Sequence, residues 1–197
     1  MGLFTRDLKS IEDLFNHMLQ DIYYAENRII KSLPKLIDAA SDAELKKGLK
    51  SHLVETEGQI SRLEKVFELL GSDPRGTRCP GIDGILSEGD DVLGDVDGKT
   101  VTNAAVIASA QAVEHYEITR YGTLIAFATE LGHDDVVPYL ERNLREEKAA
   151  DKKLTDIAEA RVNKGRPAAK RRPVKRAPKR AQAARATRKA PAKRKAS

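Results

Sequence analysis

Residues 135–160 place Leu140, Leu144, Glu147, Asp151, Leu154 and Ala158 at alternating three- and four-residue spacings, so one helical face carries two acids within its apolar stripe. At about 100° per residue, Glu26 falls beside Ile22, Ile29 and Leu33, and Glu117 beside Val113 and Leu124, with Glu114 one turn earlier on the flank. His52, Glu55 and Gln59 share the flank of a further stripe, with Thr56 near its centre. Carboxylates at the dry centre of a helical bundle oppose both desolvation and mutual repulsion, so the pattern asks for a cation among them. Hard oxygen donors with one imidazole suit iron or manganese better than a sulfur-rich structural zinc site. The alternative cation is a protein guanidinium: Arg120 stands three residues from Glu117, a spacing that permits an ion pair. His17, His115 and His133 are expected at boundary or surface positions.

Four long helices must position these side chains. The first is expected to start near Ser10, where SIED supplies a Ser cap and an acid three residues on, and to run with Ile11, Phe15, Met18, Ile22, Ile29, Leu33 and Leu36 on one face, kinked at Pro34. A second start signal, Ser41 with Glu44, opens a helix whose face is Leu45, Leu49, Leu53, Ile60, Leu63, Phe67 and Leu70, closed by Gly71. Residues 71–101 are rich in turn formers, and GILSEGDDVL reads as a helical turn or two. A third helix is expected from about Thr102 to Gly132, and a fourth from near Asp134, with Pro138 in its first turn, to about Arg161. A connection of roughly thirty residues suits a crossover along a bundle. The pattern therefore predicts an all-α, ferritin-like four-helix bundle of two αα-hairpins over residues 1–161. A shift of 91 residues superposes Leu33 on Leu124, Leu53 on Leu144, Leu63 on Leu154 and Glu26 on Glu117, a faint internal repeat of the hairpin.

The formal charge of +5 over 197 residues hides a division. Residues 1–160 hold all 30 acids and 19 of the 35 basic residues, whereas 161–197 hold the other 16 basic residues and no acid. From 162 onward the chain is built almost wholly of Ala, Pro, Lys and Arg, without apolar periodicity, and is expected to be disordered. Its basic side chains, Lys170, Arg171, Arg172, Lys175, Arg176, Lys179, Arg180, Arg185, Arg188, Lys189, Lys193, Arg194 and Lys195, suit sequence-independent attachment to DNA phosphates through counterion release. Without aromatics in the tail, base-specific reading is not expected; folding back onto the acidic part or meeting an anionic membrane surface are the competing uses. One cysteine, Cys79, cannot form an intramolecular disulfide. With no apolar run of membrane-spanning length and charges through the N-terminal stretch, a cytoplasmic protein without membrane insertion is expected, carried to the nucleoid by its tail.

The segments DLFNHMLQDIYYAEN, HLVETEGQISRLEKVFELLG, AVEHYEITRYGTL and LREEKAADKKLTDIA, together with CPGIDGI in the crossover, resemble the bacterial ferritin-like stress proteins of the YciE and YciF type over roughly residues 8–160. The resemblance implies a four-helix ferritin-like bundle, a homodimer and a link to stress responses. It places Glu26, His52, Glu55, Glu114, Glu117, Glu147 and Asp151 near an expected dinuclear iron or manganese centre. Ferritin-like di-iron proteins pair Glu with His in a Glu-x-x-His order. Here His52 precedes Glu55, and the fourth helix offers Glu147 and Asp151 without a histidine.

Two functions are expected to compete. In the first, a DNA-associated stress protein uses its dinuclear centre to oxidise Fe²⁺ or consume peroxide. In the second, the bundle is a non-enzymatic dimeric scaffold and the tail a nucleoid-binding arm.

Overall fold

The computed structural model describes residues 8–164. Among these residues the structure is all helical, with five α-helices: α1 (Ile11–Ala39), α2 (Ala43–Leu69), α3 (Pro80–Asp95), α4 (Lys99–Glu130) and α5 (Val137–Ile157). A single π-helical turn, Ala158–Val162, extends α5. The basic tail and its thirteen expected DNA-binding residues lie outside the described residues.

Local signals set most helix ends. Ser10 and Asp13 form a reciprocal capping box at the start of α1, in which the Ser10 hydroxyl accepts from Asp13 N at 3.0 Å and the Asp13 carboxylate accepts from Ser10 N at 3.0 Å. α1 continues through Pro34 to Ala39. The cap of α2 is Asp42 in place of the expected Ser41, its carboxylate accepting from Glu44 N and Leu45 N. Ser41 is drawn instead to Asn103, whose Oδ1 accepts its backbone N–H at 2.8 Å. Gly71 and Gly132 take positive φ values of 67° and 75° just beyond α2 and α4, where a Cβ would be strained. α4 begins three residues before the expected Thr102, after Gly98, and α5 three residues after Asp134.

The largest departure is in the crossover, which holds a 16-residue helix where a turn or two was expected. Pro80 fits its first turn, and packing against α4 and α1 stabilises a glycine-rich segment that has little intrinsic helix preference. Gly89 is needed there, because a Cβ would stand 3.2 Å from the Ser109 side chain on α4. Tyr24 on α1 donates to Asp83 at 3.0 Å, and Arg28 and Arg78 pair with the same carboxylate at 3.2 and 3.1 Å, fixing the crossover to α1.

α1 packs on α2 and α4, and α5 packs on the same two helices, so the four long helices close a ring of contacts around one core. Phe15, Leu19, Ile22, Leu45, Leu63, Leu124 and Leu140 are fully buried, each contributing about 1.5–3 kcal/mol by leaving water. Ile11 departs from its expected face and is 45% exposed. The positions paired by the 91-residue shift share their burial: Leu33 and Leu124 are buried, as are Leu63 and Leu154, and Glu26 and Glu117, while Leu53 and Leu144 are both half-buried. No helix among the described residues is long and apolar enough to cross a membrane.

Candidate metal centre

Each long helix sends a polar side chain to the middle of this core. Glu26 follows Ile22 by one turn on α1, and His52, Thr56 and Gln59 descend one face of α2. α4 contributes Glu114, Glu117 and Tyr121, and α5 contributes Asn143 and Glu147. All are buried, with Glu26, Gln59, Tyr121, Asn143 and Glu147 wholly excluded from solvent.

Four of them converge. His52, Glu114, Glu117 and Glu147 each offer a nitrogen or oxygen atom within 4.8 Å of the others. His52 Nε2 lies 3.4 Å from Glu114 Oε1 and 3.9 Å from Glu147 Oε2. Glu26 lies against Glu117, and its Oε1 accepts a hydrogen bond from the Tyr121 hydroxyl. Gln59 donates to Glu147 Oε1. Behind these, Asn143 donates to Tyr121 Oη at 2.9 Å and accepts from Arg62, which also pairs with Glu146 at the bundle's edge.

Many polar atoms of the cluster have no hydrogen-bond partner within the protein: Glu26 Oε2, Glu114 Oε2, both Glu117 oxygens, Glu147 Oε2 and His52 Nε2. Leaving one buried acceptor unpaired costs about 1–3 kcal/mol, so five carboxylate oxygens side by side need a shared partner. Burial pushes the carboxyls of Glu26, Glu114 and Glu117 well above the usual range, and repulsion from neighbouring acids, Glu147 foremost, pushes in the same direction. Desolvation and the adjacent Glu26 likewise raise the Tyr121 phenol. Such a group of acids exists either with protons shared among them or around a cation, and the donor geometry can hold a metal ion.

The remaining expected ligands stand outside this group. Glu55 is half-exposed, 3.6 Å from His52 Nδ1, and interaction with that imidazole holds its carboxyl below the usual range. Asp151 accepts from Gln111 at 2.9 Å and lies 3.3 Å from the exposed His115. Arg120 does not neutralise Glu117. Its guanidinium stacks over Tyr116, 5.0 Å from the ring centre, and acts on Asp21. Sequence reasoning missed Arg62, Tyr121 and Asn143. Tyr121 lies one helical turn beyond Glu117, the one signal that could have found it.

A cavity of about 240 Å³ between α2 and α5 leads from the surface to His52 and Glu114. On the opposite side, where α1, α3 and α4 meet, Leu86 and Val113 leave a gap of only about 10 Å³ beside the same two residues.

Five helices around a buried histidine and carboxylate cluster define a helical protein with a candidate metal site. The chain belongs to the DUF892 family, described as a domain of unknown function, whose model matches residues 10–166. It is 42% identical to protein YciF of Escherichia coli strain K12 over 159 residues, covering 80% of this chain and 96% of that protein. The crystal structure of the E. coli stress protein YciF superposes with a TM-score of 0.76, covering 80% of this chain and 99% of that one. YcfI of Rhodopseudomonas palustris gives a TM-score of 0.76 at 57% identity, over 78% of this chain and 98% of that one. A Xanthomonas campestris pv. campestris protein, 22% identical with a TM-score of 0.62 over 78% of this chain and 94% of its own, shares the fold. The expected kinship with YciF-type stress proteins is thereby shown.

Proposed function

We propose that this chain is a ferritin-like four-helix stress protein that holds a dinuclear iron or manganese centre on His52, Glu114, Glu117 and Glu147, with Glu26 as a fifth donor. The observation that carries this reading is the convergence of unpartnered carboxylate oxygens from α4 and α5 on one imidazole from α2, with Glu26 of α1 lying against Glu117. The donors are oxygen and nitrogen without sulfur, which favours iron or manganese. The ring of four long helices with a crossover between two hairpins supports the ferritin-like assignment. A bound pair would mediate electron transfer from Fe²⁺ to oxygen or peroxide, with peroxide reduced to water as two electrons and two protons are taken up.

The chain's own groups prepare the site. Glu55 stands 3.6 Å from Nδ1 of His52, on the side away from the acids that Nε2 faces. Tyr121 and Gln59 each fix one oxygen of Glu26 and Glu147, turning the other toward the centre. Asp151, held by Gln111, adds negative charge nearby as an outer group. The cationic tail from 162 onward would attach the protein to DNA without base preference, and the bundle would form a homodimer.

Metal analysis of protein purified without chelator, with anomalous scattering at the iron and manganese edges, tests the centre. Two adjacent peaks among the four residues are expected, and their absence after anaerobic reconstitution with either ion would remove the reading. For the tail, deletion after Arg161 is expected to abolish salt-sensitive DNA retardation, and unchanged retardation would overturn that assignment. The scaffold reading draws on Tyr121 and Gln59, which already satisfy one oxygen each; it predicts that Glu117→Gln and Glu147→Gln leave stability indifferent to added metal.

A further inference from the structure

The cavity between α2 and α5 has a built character that a metal site alone does not require. Its walls are apolar, formed by Leu49 on α2 and Leu154 and Ile157 on α5, while its inner end exposes His52 and Glu114. Small residues hold it open. Gly48 sits inside α2, where a glycine is disfavoured relative to alanine. A Cβ on Gly48 would stand 3.5 Å from Lys153 Cε and 3.8 Å from Ile157 Cδ1, ordinary contacts that packing would accept. No close approach or unusual backbone angle demands this glycine, and its missing side chain leaves room beside Lys153 and Ile157.

The rim carries two charges of different standing. Glu55 is engaged with His52 Nδ1 at 3.6 Å and with the Ser51 hydroxyl at 3.5 Å. Lys153, exposed at the mouth with its ammonium beside Gly48, makes no hydrogen bond or close ion pair among the described residues and acts on Glu55 only through its charge. A molecule entering here meets a cation with no direct hydrogen-bonded partner outside, aliphatic walls in the middle and an acid-rich inner end that repels a second anion. The volume exceeds the roughly 150 Å³ that accommodates a benzene ring in an apolar cavity.

We propose that this cavity binds a small monocarboxylate, with its carboxylate on Lys153 Nζ and its apolar body between Leu49, Leu154 and Ile157. The bound molecule's apolar end then faces His52 and Glu114. The site rests on the cavity and the rim charge and does not depend on an ion being held beneath it.

Calorimetric titration of the full chain with hexanoate and with benzoate tests this, against 1-hexanol and hexylamine. Hexanoate or benzoate should bind with a Kd on the order of 1 mM or tighter and hexylamine not at all. Gly48→Leu, whose side chain enters the cavity, should weaken hexanoate at least about 10-fold while metal content remains that of the parent and the melting temperature does not fall. Lys153→Met should weaken hexanoate by about the same factor and leave 1-hexanol unchanged. Absence of carboxylate binding up to about 10 mM in the parent overturns the proposal. Equal affinity for hexanoate and 1-hexanol, or hexanoate binding undiminished in Lys153→Met, does so too. Loss of metal with carboxylate binding intact would count against the proposed centre alone.

Discussion

Two polar clusters serve the same helical bundle, one part-buried at its end and one wholly buried in its middle, and they are built in opposite ways. At the end where α1 turns into α2, Asn103 reaches across from α4: its Oδ1 accepts from Ser41 N and Asp42 N, at 2.8 and 3.3 Å, and its amide donates to the Ser41 hydroxyl at 3.1 Å. In the middle, Glu117 is buried more deeply and neither oxygen has a hydrogen-bond partner. The first cluster closes on itself and holds a turn in place. The second is complete only with something added, and the folding energy of the surrounding core is what tolerates it.

The widest separation of the two is in metal affinity. The double variant Glu117→Gln with Glu147→Gln should lose iron or manganese affinity by at least about 100-fold, beyond the 10–100-fold typical of losing an outer partner, whereas Asn103→Ala should leave it unchanged; competition against a chelator reads both. Next comes acidity. In chelated protein the raised carboxyls of Glu26, Glu114 and Glu117 bind protons more tightly folded than unfolded. Their contribution is full below the ordinary glutamate value of about 4.3 and is lost as pH rises toward the folded values, by up to about 1.4 kcal/mol per pH unit for each carboxyl. Urea unfolding at several pH values in that range should show the fall, and added metal should flatten it; a profile already flat without metal would contradict the buried, protonated acids.

Single substitutions should then move the two clusters in opposite directions. Asn103→Ala removes the acceptor of Ser41 N and Asp42 N at a part-buried turn and is expected to destabilise by about 0.5–1.5 kcal/mol. Glu117→Gln, measured without metal at neutral pH, removes a carboxyl whose burial opposes ionisation and supplies an amide donor to its neighbours, so stability should rise by about 1–2 kcal/mol. The smallest expected effect is Gly48→Ala, a gain of about 0.5–1 kcal/mol in thermal unfolding, because helix preference improves where the added methyl meets only ordinary contacts. A loss there would mean that α2 needs the glycine for packing.

Periodicity made much of this legible. Glu26, Glu117 and Glu147 were each placed inward by their spacing from leucine, isoleucine and valine, and all three are buried. The Ser10 and Asp13 capping box and the endings at Gly71 and Gly132 were readable because such signals act within a few residues. α3 was not, because its stability comes from contact with α4 and α1, to which a local reading is blind. The choice between Arg120 and Arg62 was also beyond a single-helix projection. Arg120 lies at a permitted spacing from Glu117 yet turns over Tyr116, while Arg62 approaches from another helix and meets Asn143 and Glu146. Glu55 and Asp151 share helical flanks with cluster members, but a rotation of a few tens of degrees sets them at the margin.

The strap formed by α3 gives the molecule a front and a back. Leu86 seals the α1 and α4 side down to a gap no larger than a single water molecule, whereas the α2 and α5 side keeps a passage more than twenty times larger. Traffic to and from His52 and Glu114 is therefore one-sided, and a second macromolecule could seat itself across the strap without shutting the passage. A partner covering Gly48 and Lys153 would instead act as a stopper.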